Sequence, residues 1–188
     1  MTSNPLRILR TFDRHLRSPV DLYVYGRSAL AMGFAAAPTW FHATMDVDAI
    51  LPAKDIRALE QNPDFWAAQQ KTNEELANSG LYFTHFFEDR QVIITPDWLD
   101  HVVTLTEFAF ARLRLFRPST VDLVLTKMMR IDPEDRDDIR FLVAQADCQP
   151  DKLNAALDRA VVPPVTESKE AFSHNRAWLR DTGLLPMS

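Results

Sequence analysis

The sequence is poor in cysteine and glycine, and it contains no long apolar run. One cysteine, Cys148, and 4 glycines occur in 188 residues. A single cysteine excludes an internal disulfide and a zinc site built from paired cysteines, and so few glycines argue against an architecture of many tight hairpins. A transmembrane helix needs about 18 or more consecutive apolar residues, and no run of that length is present. We therefore expect a cytoplasmic protein with no membrane partner.

A large excess of positive charge is also missing. The formal net charge is -5, and charged residues make up 25% of the chain. Proteins that hold long nucleic acids depend on many contacts between basic side chains and phosphates, so this charge argues against that function for the chain as a whole. Apolar residues make up 46%, which is typical of a globular domain and excludes a disordered chain.

Hydrophobic periodicity predicts strands and helices in a mixed order. The predicted strands are 21–26, 45–51, 81–87, 91–95 and 111–117, of which 81–87 and 91–95 form an antiparallel hairpin. The predicted helices are 5–17, 27–34, 53–60, 63–78, 119–130, 132–146, 150–161 and 167–180. This order indicates an α+β fold, a small mixed β-sheet with flanking helices followed by a helical C-terminal part. We expect an α+β core with its N-terminal helix at 1–118 and a helical part packed on it at 119–188, together one structural unit.

Two aspartates occupy alternate positions of one predicted strand. Asp46 and Asp48 lie in MDVDAIL, and side chains two residues apart in a strand point to the same face. Two neighbouring carboxylates repel each other unless a cation lies between them, and their oxygens are the ligands that Mg²⁺ or Mn²⁺ prefers. The pair therefore indicates a divalent metal site, or alternatively the solvent-facing side of an edge strand.

A strand-to-helix turn precedes these aspartates. The run LYVYG ends at Gly26 and continues through Arg27 and Ser28 into a predicted helix. Glycine permits a tight turn and the close approach of a ligand, and the N-terminus of a helix offers free N–H groups to an anion. The turn therefore indicates a phosphate-binding site, or alternatively an ordinary junction that packs a small-residue helix.

The order of these parts resembles the nucleotidyltransferase superfamily that includes DNA polymerase beta. The motifs that carry the resemblance are Gly26-Arg27-Ser28 at the turn, HATMDVDAIL at 42–51, and the downstream parts PDWLDH, LRLFRP, Asp122-Leu123, Lys127 and a helix beginning Asp135-Arg136-Asp137-Asp138. GRSALAMG followed by HATMDVDAIL is similar, more narrowly, to the small bacterial branch that includes the abortive-infection nucleotidyltransferase toxins. The resemblance covers about residues 20–147 and implies the same fold.

The resemblance implies a role for each matching residue. It implies that Asp46 and Asp48 are catalytic and bind the metal ion, Mg²⁺ or Mn²⁺. It implies that the nucleotide is bound by Gly26, Arg27, Ser28, Thr44, Lys127 and Asp135. From the residues alone, Lys127 has a second interpretation, as an exposed helix lysine that contributes little to stability or as an ion-pair partner of Asp135.

Catalytic members of the superfamily carry a third carboxylate on a later strand. The candidates in this sequence are Glu88 and Asp89, which fall in a predicted turn, and Asp97, which follows the predicted strand 91–95. The sequence also departs from the family pattern at the turn, where Arg27 replaces a second glycine. His15, His85, His101 and His174 do not show the spacing of a metal site.

Three functions are compatible with these observations. The first is a metal-dependent nucleotidyltransferase that moves a nucleoside monophosphate from a nucleoside triphosphate to an acceptor, whether RNA, protein or a small molecule. The second is a catalytically degenerate protein of the same fold that binds a nucleotide or a partner, as in a toxin–antitoxin pair. The third is an α+β interaction domain whose paired aspartates only face solvent. The sequence leaves the acceptor and the oligomeric state open.

Overall fold

The structure, a computed structural model, describes residues 3–185, within which the chain forms two compact units. The first unit contains the described residues up to Glu88 together with Val103–Arg117. The second contains Asp89–Val102 together with the described residues from Pro118 onward. The chain therefore leaves the first unit and later returns to it. Within the described residues, no helix is both long enough and apolar enough to cross a membrane.

One mixed sheet forms the frame of the first unit. Its strands are β1 (Val20–Tyr25), β2 (Asp46–Leu51), β3 (Tyr82–Glu88), β4 (Val103–Thr104) and β5 (Leu113–Arg117). Their order across the sheet is β3-β2-β1-β5-β4. Strand β1 pairs antiparallel with β2 and parallel with β5, whereas β2 pairs parallel with β3 and β4 pairs antiparallel with β5.

Helices and short 3-10 turns connect these strands. The helices of the first unit are α1 (Asn4–His15), α2 (Gly26–Gly33), α3 (Ile56–Glu60) and α4 (Pro63–Leu76), and the 3-10 turns are Thr39–Ala43 and Ala77–Ser79. The α4 helix begins where the sequence predicts, because the Asn62 side chain accepts a hydrogen bond from the Phe65 N–H and Pro63 occupies the first turn.

Aromatic packing joins α1 and α4 to the sheet. Phe12 of α1 meets Phe65 of α4 and Phe83 of β3 edge to face, with ring centroids 5.3 and 4.8 Å apart, and all three side chains are fully buried. Buried aromatic pairs in this arrangement contribute roughly 0.5–1.5 kcal/mol beyond the burial of their area. The Asp13 carboxylate also accepts backbone hydrogen bonds from 111–113 at 2.8 Å, which ties α1 to the start of β5.

The second unit is helical. Its helices are α5 (Thr120–Lys127), α6 (Pro133–Val143), α7 (Pro150–Arg159) and α8 (Thr166–Asp181), preceded by 3-10 turns at Asp89–Gln91 and Trp98–His101. At the start of α5, the Ser119 hydroxyl accepts from the Asp122 N–H and donates to the Asp122 carboxylate, an arrangement close to a capping box. Asp122 also accepts from the N–H and the hydroxyl of Thr95, which anchors the segment before α5.

The fold class predicted from the sequence is confirmed, but the predicted hairpin is wrong. Residues 81–87 do form a strand, which pairs parallel with β2. Residues 91–95 do not pair with it; Ile94 makes an isolated antiparallel bridge to Val161 in the second unit. Ile93 and Ile94 are buried in that unit, so their β-branched side chains reflect burial there and not a place in the sheet.

Candidate functional site

The two aspartates of β2 share one face of the strand. Val47 and Ala49 are fully buried, whereas the side chains of Asp46 and Asp48 are 38% and 27% exposed. This alternation follows from the period of two in a strand, with apolar residues facing the core. The pairing of β2 with β3 shifts register between Asp46 and Asp48, so the strand carries an irregularity at the two carboxylates.

A histidine from the neighbouring strand completes the cluster. His85 lies opposite Asp48 in the parallel β2–β3 pair. Its Nδ1 atom is 3.1 Å from Asp48 Oδ1 and 3.8 Å from Asp46 Oδ2. Among residues 3–185, Asp46, Asp48 and His85 form the group of potential metal-ligating side chains, with ligand atoms that all lie within 4.8 Å of one another. The donors, two carboxylates and one imidazole, fit a divalent metal ion.

Thr44 orients one of the carboxylates. Its hydroxyl donates a 2.8 Å hydrogen bond to Asp46 Oδ1, which leaves Oδ2 on the side of His85. Thr44 follows the 3-10 turn Thr39–Ala43 and lies two residues before the start of β2 at Asp46. Such a hydrogen bond to a ligating carboxylate fixes its orientation, as the outer partners of metal ligands commonly do. The structure thus brings Thr44 to Asp46.

The glycine turn lies directly against Asp48. Gly26 has a φ of +64°, a conformation that favours glycine, and it begins α2. A Cβ atom at this position would lie 3.0 Å from Asp48 Oδ2, so a side chain would press on the carboxylate. Tyr25 is paired with Asp48 across the antiparallel β1–β2 ladder, which is why the turn and the aspartate meet at the same end of these strands. The N-terminus of α2 therefore adjoins the carboxylate cluster.

The next two residues of the turn are less open than the sequence suggests. Ser28 is 2% exposed, and its hydroxyl donates a 2.8 Å hydrogen bond to the carbonyl of Tyr25. The hydroxyl proton is therefore used within the turn. Arg27 is half-buried at the second position of α2. What the turn offers to an anion is the N-terminus of α2, where the helix dipole is positive.

The second unit holds a different charged cluster. Lys127 Nζ lies 2.8 Å from Asp135 Oδ1 and 2.6 Å from Asp138 Oδ2, and Arg130 also pairs with Asp135 at 2.8 Å. The side chains of Lys127, Asp135 and Asp138 are 10%, 6% and 0% exposed. The interpretation of Lys127 as an exposed lysine is therefore wrong, because α6 covers it with two carboxylates, one of them from the predicted partner Asp135.

The potential metal-ligating group found among the described residues contains none of the proposed third carboxylates. Glu88 lies at the last position of β3, opposite Leu51 and three residues beyond His85. Asp89 and Asp97 belong to the second unit. There Asp97 pairs with Arg159 at 2.5 Å, and the hydrogen bond from this guanidinium holds the pKa of Asp97 below its usual range.

Sequence reasoning therefore missed His85. Metal sites are found in a sequence by short spacings between ligands, and His85 is far from Asp48 along the chain. A signal was nevertheless present, because 81–87 was predicted to be a strand. Parallel pairing of this strand with β2 brings His85 to Asp48, but the sequence favoured a hairpin with 91–95 instead.

A family model described as a nucleotidyltransferase of unknown function (DUF6036) matches residues 12–181 of the chain. No curated protein and no solved structure matches it. The match spans both units and includes every residue of the two charged clusters.

Proposed function

We propose that this chain, which belongs to that nucleotidyltransferase family, is a metal-dependent enzyme that transfers a nucleoside monophosphate from a nucleoside triphosphate to an acceptor hydroxyl. The observation that carries the proposal is the contact between the glycine turn and the carboxylate pair. Gly26 lies against Asp48 Oδ2, so a triphosphate on the backbone of this turn would reach the metal-ligating oxygens.

In the first unit, one set of residues would bind the phosphates and a second set would bind the metal ion. The first turn of α2, Gly26-Arg27-Ser28, would lie against the phosphate oxygens, because the N-terminus of a helix carries partial positive charge that attracts an anion. Asp46 and Asp48 would hold the divalent ion, Mg²⁺ or Mn²⁺, with Thr44 fixing the Asp46 carboxylate. A bound divalent ion supplies charge stabilisation for in-line displacement at a phosphorus atom.

The transfer itself exchanges a phosphoanhydride bond of the triphosphate for a phosphoester bond to the acceptor. The acceptor oxygen bonds to the α-phosphorus while the bond to the bridging β-phosphate oxygen breaks, pyrophosphate leaves, and the proton of the acceptor hydroxyl is released. Positioning and charge stabilisation provide most of the acceleration in such reactions. The proposal extends to RNA or protein as the class of acceptor. It also extends to membership of the abortive-infection branch.

Lys127 and Asp135 have a weaker claim to the nucleotide. Their ion pair and the second contact from Lys127 to Asp138 satisfy the lysine inside the second unit. This favours a structural role, and the nucleotide-binding role predicted for them stays a prediction. A competing function, nucleotide binding without transfer, is favoured by one observation: the residue beside the two aspartates on β3 is His85 and not a carboxylate.

Label transfer separates these two functions. The protein would be incubated with Mn²⁺ or Mg²⁺, each of the four α-³²P-labelled ribonucleoside triphosphates, and either total RNA or the protein alone as acceptor. We expect label on one acceptor class, pyrophosphate release in equal amount, and loss of both in the Asp46→Asn/Asp48→Asn variant. Metal-dependent thermal stabilisation by a triphosphate without label transfer would instead support the binding protein.

A further inference from the structure

We infer that His85 is the third metal ligand of the site, so that the site selects a first-row transition ion such as Mn²⁺ over Mg²⁺. The inference rests on the metal site of the proposed function and names the class of ion that this site takes. It also gives His85 a role that no motif in the sequence assigns.

The first argument is the distance between donors. Two cis ligands on an octahedral ion with bonds of about 2.1 Å are separated by about 3 Å. His85 Nδ1 and Asp48 Oδ1 are 3.1 Å apart, and the Asp46 oxygen is 3.8 Å from the same nitrogen. One edge of such a coordination sphere is thus already formed, and a small rotation of the 38% exposed Asp46 side chain would close the second.

The second argument is that the three side chains are held from independent directions. Thr44 donates to Asp46 Oδ1 and so directs the other oxygen of that carboxylate toward the histidine. The His85 ring lies nearly parallel to the ring of Phe87, with centroids 6.2 Å apart and planes 28° apart. Gly26 lies against Asp48 without a side chain that would push the carboxylate away. Supports of this kind keep metal ligands in one orientation.

The third argument is the chemistry of the donors. Mg²⁺ takes oxygen ligands almost entirely and keeps several waters, whereas imidazole nitrogen suits transition ions. Exchanging a carboxylate for a neutral imidazole also removes one negative charge from the ligand set. The lost charge weakens both dications, whereas the nitrogen donor favours Mn²⁺, so the mixed site discriminates between two ions that three carboxylates would treat more alike.

A simple hydrogen bond between His85 and Asp48 is the competing explanation for the 3.1 Å contact. The chain offers a matched case of such a contact: His15 Nε2 lies 3.0 Å from Glu75 Oε2, on the α1–α4 face of the same unit. Glu75 is shared with Arg14, so His15 meets a carboxylate that already has a cation. His15→Ala therefore removes a comparable histidine contact without removing a donor of the proposed site.

The experiment combines metal titration with direct detection of nitrogen. Dissociation constants for Mn²⁺ and Mg²⁺ would be measured on the wild-type chain and on the His85→Asp, His85→Ala and His15→Ala variants, with folding checked by circular dichroism. Electron spin echo modulation of bound Mn²⁺ would then report whether a ¹⁴N atom is directly coordinated. We expect nitrogen coupling in the wild-type chain and in His15→Ala, and its loss in both His85 variants.

The metal preference provides the second readout. We expect the ratio of Mn²⁺ to Mg²⁺ affinity to fall by about tenfold or more in His85→Asp, which restores three carboxylates, and to stay unchanged in His15→Ala. Mn²⁺ that binds without nitrogen coupling, yet is lost in Asp46→Asn, would overturn the role of His85 and leave the proposed function standing. Failure of the wild-type chain to bind either ion would overturn both.

Discussion

The two charged clusters of this protein contain the same paired acids in opposite settings. In the second unit, Asp135 and Asp138 are almost fully buried, and the chain supplies Lys127 and Arg130 to balance them. In the first unit, the two aspartates of β2 are partly exposed, and Asp46 lies beside the Thr44 hydroxyl and the His85 ring.

The difference is one of burial: the second unit surrounds its buried acids with cations, whereas the acids of β2 remain partly exposed to solvent. Buried carboxylates without a cation would cost several kcal/mol each, so the cluster on α6 must contain its own cations. Partly exposed carboxylates are hydrated, so two of them can stand close together without a buried cation. Pairs of aspartates in a sequence therefore indicate different functions according to burial, which spacing alone does not reveal.

Removing the lysine should produce the largest effect on stability. Lys127→Ala leaves Asp138 buried without its 2.6 Å partner, and loss of one partner of a buried ion pair costs about 3–5 kcal/mol. Urea unfolding would measure this loss. Lys152→Ala, at an exposed position on α7, is the control and should change the free energy of unfolding by no more than about 0.5 kcal/mol.

A Lys127→Ala variant of unchanged stability would contradict the conclusion that the buried acids of the second unit depend on this lysine. The lysine would then be held in place by packing alone, and its predicted contact with a nucleotide would become the better explanation for its presence.

The reactivity of the Cys148 thiol gives an independent measure of how well the second unit excludes solvent. Cys148 is 4% exposed, and burial raises its pKa to about 11. At pH 8 it should react with iodoacetamide roughly a hundredfold more slowly than a free cysteine, whose pKa is about 8.5. The rate should rise tenfold per pH unit up to about pH 10 while the fold persists. Fast alkylation at pH 7 would mean that this unit opens easily and that its ion cluster is not shielded from solvent.

The acids of β2 should affect ligand-dependent stability and leave the metal-free fold intact. Asp46→Asn/Asp48→Asn removes repulsion between carboxylates, so the metal-free protein should be equally or slightly more stable. Mn²⁺ at 100 times its dissociation constant should stabilise the wild-type chain by about 2.7 kcal/mol and the variant not at all. Thermal unfolding with and without Mn²⁺ measures both, and Asp55→Asn/Asp100→Asn, at exposed positions, is the control.

The sequence revealed the parts of the site that depend on local pattern. The alternation in MDVDAIL placed Asp46 and Asp48 on one face, and the glycine before a helix located the turn. Contacts that depend on strand register were not predictable from spacing, because β3 could pair with β2 or with 91–95. That choice decides whether His85 or a later acid stands beside the aspartates. The burial of Lys127 was missed for a similar reason, since Asp138 acts on it from another helix.

The smallest effect should come from a pair of glycine substitutions. Gly26 and Gly183 both have positive φ, +64° and +71°, so alanine at either position should cost about 1–2 kcal/mol. A Cβ at Gly26 would lie 3.0 Å from Asp48 Oδ2, whereas one at Gly183 has no atom within 4 Å. Gly26→Ala should therefore also weaken Mn²⁺ binding, and Gly183→Ala should not. Equal Mn²⁺ affinity in the two variants, measured by calorimetry, would show that the turn does not affect metal binding.

The return of the chain to the first unit has a consequence for its synthesis. Strand β1 lies between β2 and β5, and β5 is made only after Asp89–Val102 has been added to the second unit. The hydrogen bond from the Ala111 N–H to Asp13 spans 98 positions of the chain. A nascent chain that ends at Glu88 therefore exposes the edge of β1, and no single cut in the gene can release the complete first unit without Asp89–Val102 of the second. Ribosome-bound chains should form the complete five-stranded sheet only once Arg117 has left the exit tunnel.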